Sequence, residues 1–179
     1  MRAIVMRVLQ ASVSVEGEII SEIGKGLLVL VGFGKEDAGE QRQTTKAAAS
    51  CSSSSEGGAA AGTDETDLRW MASRLDKCGY WPDEQGHHWS RSVGDVGGDV
   101  LIVSQFTLFG VLSKGSKPTF HRSLAPADAQ RMYDRFIALV QEELPSRRVL
   151  GGSFGSMMAV SNVNDGPVTF VLDSRDRNR

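Results

Sequence analysis

Cysteine is scarce in this 179-residue chain, with Cys51 and Cys78 the two present. One sits in a serine-rich run and the other near the end of a helical pattern. Such a pair builds no disulfide framework, and a reducing compartment is the simplest setting. Histidine is scarce too: His87, His88 and His121 are all there are. The first two are adjacent, so a strand would send them to opposite faces, and neither has a recognisable zinc-ligand spacing to a Cys, Asp or Glu. They are assigned to an exposed loop beside Gly86. No metal and no cofactor is expected, since Gly24-Lys25-Gly26 and Gly32-Phe33-Gly34-Lys35 lack the spacing and the Ser/Thr of a phosphate loop. Long apolar runs are missing: none approaches the roughly 20 residues of a helical membrane span. The opening MRAIVMRVLQ enters a strand pattern directly, without a secretory h-region. The cytoplasm is therefore the expected location. A net charge of −2 excludes a polycation, so any contact with nucleic acid must come from a local basic patch.

The apolar residues that are present set out one domain of ordinary size. Residues 2–9 alternate as a strand. Val13 and Val15, then Ile19 and Ile20, predict a hairpin turning at Glu16-Gly17-Glu18. Leu27–Val31 is a continuous apolar run suited to a strand buried on both faces. Residues 35–66 then change character to Ser, Ala, Gly and charge, with too little apolar surface to offset the entropy of ordering. A low-complexity, mobile insertion is expected at about 36–62. Leu68, Met71, Ala72, Leu75 and Cys78 follow helical spacing, with Thr63 or Asp64 as cap and Gly79 as stop. Short strands are predicted at Trp89–Val93 and Val100–Leu108. A second helix starts at Pro126 and stops before Pro145. Strands near 147–150, 157–163 and 167–172 complete the chain, and the tail from Arg175 is expected to fray.

Few residues carry chemistry by pattern alone. Gly151-Gly152-Ser153-Phe154-Gly155 matches the nucleophile elbow G-x-S-x-G, but the last histidine, His121, precedes Ser153, which is the wrong order for that triad. Ser104-Gln105-Phe106-Thr107 interrupts a buried strand with polar side chains. As a strand it would place Gln105 and Thr107 on one side and Ser104 and Phe106 on the other. Asn164-Asp165-Gly166-Pro167 reads most simply as a tight turn between two strands. Lys114, Lys117, His121 and Arg122 form a basic stretch that, on composition alone, would be a solvated loop.

Three segments in order carry a resemblance: MRAIVMRVLQASVSVEGEIISEIGKGLLVLVGFGK, VGGDVLIVSQFTLFG and FGSMMAVSNVNDGPVTFVLDS. The chain resembles the D-aminoacyl-tRNA deacylases, which clear D-amino acids from mischarged tRNA. The resemblance covers residues 1–34 and roughly 64–173. It implies a single three-layer α/β/β domain with antiparallel-rich sheets and two main helices, acting as a homodimer on the aminoacylated 3′ end of tRNA, with no role for membrane or DNA. It places Ser104, Gln105, Phe106 and Thr107 in the active site. It makes Gly166 and Pro167, joined by a cis bond, a chiral filter inserted into the partner subunit's site, where an L-side chain would clash. Arg7 matches the position that braces this dipeptide, Met158 matches a methionine near the pocket, and Asn164 and Asp165 support the site. Lys114, Lys117, His121 and Arg122 would grip phosphates near the acceptor end, which positions a substrate without reading its sequence. The reaction implied is ester hydrolysis, on D-aminoacyl-tRNA and on glycyl-tRNA. Water attack would be assisted by the substrate's 2′-OH, with N–H groups around Phe106 and Thr107 binding the oxyanion. Met157, Cys78 and Gly79 depart from the family pattern. A non-catalytic RNA-binding module on the same fold is the alternative; it would not need the Ser104–Thr107 and Gly166-Pro167 strings, and both are intact. A related group with a trans Gly-Pro that clears L-alanine is a second competitor, disfavoured by Ser104–Leu108 and Arg7.

Overall fold

The structure is a computed structural model, and it describes residues 1–38, 64–112 and 115–177. Strand β1 (Arg2–Val15) is the spine. Its N-terminal half pairs antiparallel with β3 (Gly26–Gly32) and its C-terminal half with β2 (Glu18–Ile23). Glu16 and Gly17 join β1 to β2 at φ 52° and 90°, the positive pair that a two-residue type I′ hairpin turn uses. Strand β4 (Asp99–Ser104) runs parallel to β3, and β5 (Val149–Gly151) parallel to β4. Strand β6 (Ala159–Asp173) pairs antiparallel with the other edge of β1 along nearly its whole length.

The burial parity of β1 changes along the strand. Ala3 and Val5 are buried with the helices α1 (Asp64–Lys77) and α2 (Pro126–Glu143). Val8, Ala11 and Val13 are buried instead with Ile23, Leu28, Leu101 and Val103. A strand of strict period two cannot put Val8 and Ala11 on one face, so their shared core requires an irregularity between them, and the register with β6 shifts between Val8 and Gln10 as well as between Met6 and Val8. Beyond it, β1 and β2 fold over the opposite face of β3 and β4. Ser21 Oγ of β2 donates to the Gly151 carbonyl of β5 at 2.6 Å across that layer. Helices, central strands and folded-over strands make the expected α/β/β stack, as one six-stranded sheet with three antiparallel and two parallel pairings.

Leu68, Met71 and Leu75 of α1 and Phe136, Leu139 and Val140 of α2 fill the helix layer, as their 3.6-residue spacing predicts. Asp64 opens α1; Thr63, the other cap candidate, lies outside the described residues. Several expectations need correction. Trp89–Val93 is no strand: Trp89 has φ 62°, and the segment forms a single bridge between Trp81 and Arg91. The expected strands at 157–163 and 167–172 are one strand, β6, running through Asn164–Pro167. The tail is tied down as far as Arg177, with Arg175 Nε 3.1 Å from Asp37 and Arg177 Nη2 2.7 Å from Asp67. Asp37 belongs to the core at 1 % exposure. It pairs with the Met1 ammonium at 2.6 Å and accepts the Gly34 N–H at 2.7 Å, so the packed part of the chain extends beyond residue 36. Most of the insertion expected at 36–62, and Cys51 within it, lies outside the described residues.

Candidate active site

Strand β4 stops at Ser104 because its neighbours run out: Val31 is its last partner on β3, and β5 ends opposite Ile102. Gln105 leaves the sheet at φ −144°, ψ 81°, its N–H still donating to the Val31 carbonyl at 2.7 Å. Phe106–Phe109 then form a 3-10 turn that buries Phe109. The strand predicted over Val100–Leu108 thus ends four residues earlier, at Ser104, and Gln105 and Thr107 do not share a side by strand alternation. The turn has a chemical consequence. Its first backbone acceptor, Gln105 O, is taken by the Leu108 N–H at 3.2 Å. The N–H groups of Phe106 and Thr107 donate to no group among the described residues, as the first amides of a helical turn characteristically do.

These amides lie beside a cleft of about 290 Å³ whose walls include Ser104, Gln105, Phe106, Ser123, Phe154 and Gly155. Pattern reasoning missed Ser123, which donates its hydroxyl to the Phe106 carbonyl at 3.2 Å, and Phe154, which was set aside with the rejected elbow motif. The signal for both was weak: a lone Ser after a basic stretch, and an aromatic inside a glycine-rich turn. Tyr133 holds the Phe154 wall. Its hydroxyl donates to Ile102 O at 2.7 Å and accepts the Gly152 N–H at 2.9 Å, while its ring packs on Phe154 at 5.7 Å. Burial pushes the Tyr133 pKa up to about 12, so the phenol stays a donor at neutral pH. Ser153 Oγ meets only Ser156 Oγ, at 2.7 Å, and no histidine stands near it among the described residues. His87 pairs with Asp83 in an exposed loop, and His88 is exposed beside it.

The Asn164–Val168 segment is a bulge in β6 and not a turn between strands. Asn164 pairs with Val8 and Thr169 with Met6, so Asp165–Val168 stand opposite Arg7 alone. The Gly166–Pro167 bond is cis, and both residues are exposed. Asn164 Oδ1 accepts the Val168 N–H at 3.2 Å and its Nδ2 donates to Thr169 Oγ1 at 2.9 Å. Arg7 Nη1 donates to the Tyr80 carbonyl at 2.6 Å, and its Nε lies 3.0 Å from Asp165 Oδ2. The latter is an ion pair whose N–H is not aligned as a hydrogen bond. None of residues 164–168 lines the chain's own cleft. Met158 lies against Gly152, beside the cleft wall, while Met157 is 91 % exposed.

An antiparallel bridge joins Val111 to Thr119 within the basic stretch. Phe120, next to Thr119, stacks edge-to-face on Phe106 of the cleft wall at 4.8 Å. Lys117 and His121 are exposed, with His121 Nδ1 3.1 Å from Thr119 Oγ1. Arg122 is 3.6 Å from Glu36, and Lys114 lies outside the described residues.

A three-layer mixed α/β fold carries this cleft at the end of its central strands, together with a bulged outer strand. A solved structure described as the c-Myc DNA Unwinding Element Binding Protein matches this chain with a TM-score of 0.75 at 34% identity, covering 97% of this chain and 98% of that one. The D-Tyr-tRNA(Tyr) deacylase family model matches residues 4–52 and 57–173. A D-aminoacyl-tRNA deacylase of Yarrowia lipolytica is 39% identical over 178 residues, 98% of this chain and 99% of that protein. One of Chlorobaculum parvum is 40% identical over 176 residues, 97% and 98% of the two chains. The chain belongs to the D-Tyr-tRNA(Tyr) deacylase family.

Proposed function

We propose that this protein hydrolyses the ester between a D-amino acid and the 3′-terminal ribose of tRNA, a proofreading step of translation in the cytoplasm. The observation that carries the mechanism is the pair of undonated Phe106 and Thr107 N–H groups beside the cleft. Water adds to the ester carbonyl carbon, the substrate's own 2′-OH assists it, and the two amides receive the oxyanion. Collapse of the tetrahedral intermediate breaks the bond from the acyl carbon to the ribose oxygen, which takes up a proton. Free D-amino acid and tRNA leave. Preorganised donors of this kind supply much of the acceleration in acyl transfer, and an aminoacyl ester is activated enough to need little more. Ser104 and Gln105 line the cleft and orient the acyl group.

Selection against L-aminoacyl groups is assigned to Gly166 and Pro167 of a second copy. They are exposed at the tip of the bulge and away from their own cleft, as a segment serving another subunit must be. Strand β6 also has the character of an interface. Among the described residues it pairs on one edge only, and Val163, Phe170 and Val171 are exposed along it at 43 %, 37 % and 76 %. A long apolar outer strand left open is an association surface. Lys114, Lys117, His121 and Arg122 are assigned to phosphates of the acceptor end. Glycyl-tRNA is expected as a second substrate, because glycine has no side chain to exclude.

The test is hydrolysis of matched D- and L-tyrosyl-tRNA by the purified protein. Release of D-tyrosine with L-tyrosyl-tRNA spared supports the reading. Equal rates on the two, or binding without turnover, would sink it, and the second outcome would favour an RNA-binding role.

A further inference from the structure

Between α1 and β4 the chain buries Tyr80 and Trp81 at 3 % and 4 % exposure, outside any helix or strand. A short ladder holds them. Tyr80 and Trp81 donate their N–H groups to the Arg91 carbonyl at 2.8 and 3.1 Å, while Ser90 and Arg91 donate to the Trp81 carbonyl at 3.0 and 2.9 Å. Gly79 lets the two segments close, for a Cβ there would meet the Trp89 carbonyl oxygen at 2.2 Å. An aromatic row ties the same segment to β6: Tyr80 meets Phe170 edge-on at 5.8 Å, and Trp89 meets Phe170 at 5.6 Å.

This arrangement leaves two features turned toward Arg7. The Tyr80 carbonyl accepts Arg7 Nη1 at 2.6 Å, and the Trp81 ring lies 6.0 Å from the guanidinium carbon, with Lys25 Nζ at 5.8 Å from the same ring. Trp81 Nε1 has no acceptor among the described residues, so packing and the charges at its ring set the indole there. The other groups of Arg7 face the bulge, with Nε at 3.0 Å from Asp165 Oδ2 and Nη2 at 3.0 Å from where a Cβ on Gly166 would stand. An arginine held by a carbonyl at one N–H, by an ion-paired carboxylate beside its Nε and by an aromatic ring near its guanidinium carbon has lost the rotamers it would otherwise sample.

We propose that the Tyr80–Trp81 segment is a positioning element for stereochemical selection. It seats Arg7, and through Arg7 it fixes where the Asp165–Gly166 tip stands. Trp81 touches no substrate; it acts on the ratio of D- to L-hydrolysis, not on the bond-breaking step. The inference rests on the filter reading of Gly166 and Pro167.

Single-turnover hydrolysis of D- and L-tyrosyl-tRNA by the full chain tests it with Trp81→Leu, Trp81→Phe, Arg7→Ala and Arg7→Ala/Trp81→Leu. Leucine keeps apolar bulk without a π face, and phenylalanine keeps the face. Trp81→Leu should lower the D/L ratio by roughly three- to thirtyfold, the range that loss of a cation–π brace spans, with the D-rate nearly kept. Trp81→Phe should restore most of the ratio. Arg7→Ala should lower it at least as far as Trp81→Leu, and the double variant no further than Arg7→Ala, as for residues acting through one path. If Arg7→Ala erodes the ratio and Trp81→Leu does not, the seat is overturned and the filter stands. If neither moves the ratio, both readings fall. Equal losses of D- and L-hydrolysis in the Leu and Phe variants would make Trp81 a packing residue only and overturn the proposal.

Discussion

Arg7 and Asp165 face each other across the bulge of β6, with Nε 3.0 Å from Oδ2 and both side chains largely withdrawn from solvent, at 13 % and 30 % exposure. The pair sits between Val5, buried in one core cluster, and Val8, buried in the other, and the bulge it spans is the one that presents the Gly166–Pro167 tip. Asp165→Asn keeps the shape of the acid and removes its charge. A hydrogen-bonded or paired charge of this exposure contributes modestly, so we expect D-tyrosyl-tRNA hydrolysis to fall by roughly tenfold. The D/L ratio should fall with it. An unchanged ratio in single-turnover assays would remove Asp165 from the selection apparatus.

Gly166 has φ 117°, and a Cβ there would lie 2.9 Å from Val168 Cγ2 and 3.0 Å from Arg7 Nη2. L-residues rarely adopt that conformation, at a cost on the order of 1–3 kcal/mol. Gly166→Ala should therefore displace the tip. The expected outcome is a D-deacylation rate lower by at least roughly tenfold, with melting lowered only by about 2–4 °C for each kcal/mol of strain. Calorimetry beside the kinetic assay separates the two effects. A variant that melts like the parent and hydrolyses at the parental rate would show that the tip conformation is not needed.

Thr107 is exposed, and its hydroxyl contacts no histidine or carboxylate among the described residues. A hydroxyl without a base is a poor nucleophile. If the 2′-OH of the substrate assists water, Thr107→Ala should cost less than about tenfold. A substrate ending in 2′-deoxyadenosine should lose roughly 10²–10⁴-fold, the range of general acid–base assistance. The opposite ranking, with Thr107→Ala the more damaging change, would make Thr107 the nucleophile.

The layers and most elements were legible in the sequence because they rest on periodicity. Leu68, Met71 and Leu75 repeat every turn of a helix, and Leu27–Val31 reads as a buried strand. What period could not supply was where pairing stops. Nothing in Val100–Leu108 says that Val31 and Gly151 are the last available neighbours, so the 3-10 turn at Phe106 was hidden, and with it the two free amides. Asn164-Asp165-Gly166-Pro167 has the composition of a turn, yet the long register with β1 keeps it inside one strand. Tyr80 and Trp81 gave no signal at all. Their role comes from a backbone carbonyl and a ring meeting Arg7 from far along the chain, which no local pattern encodes.

The segment of low complexity has an edge that the structure moves. Composition alone puts its start near residue 36, but Asp37 is 1 % exposed and joins the Met1 ammonium, the Gly34 N–H and Arg175. Removing one partner from a buried, hydrogen-bonded charge cluster leaves the others uncompensated and costs about 3–5 kcal/mol. Asp37→Ala should lose stability on that order in urea titration, while Glu36→Ala, which removes partly exposed contacts to Arg122 and Arg175, should lose no more than about 1 kcal/mol. The same logic divides two loop replacements. A Gly/Ser linker in place of 39–62 keeps the Asp37 cluster and should leave D-aminoacyl-tRNA hydrolysis within a few-fold. A linker in place of 36–62 removes Asp37 and should fail mainly through unfolding, seen as a lowered denaturation midpoint. If the 39–62 replacement folds as stably as the parent but loses hydrolysis, that segment takes part in the reaction. If both replacements are equally stable, the Asp37 cluster contributes nothing to the fold.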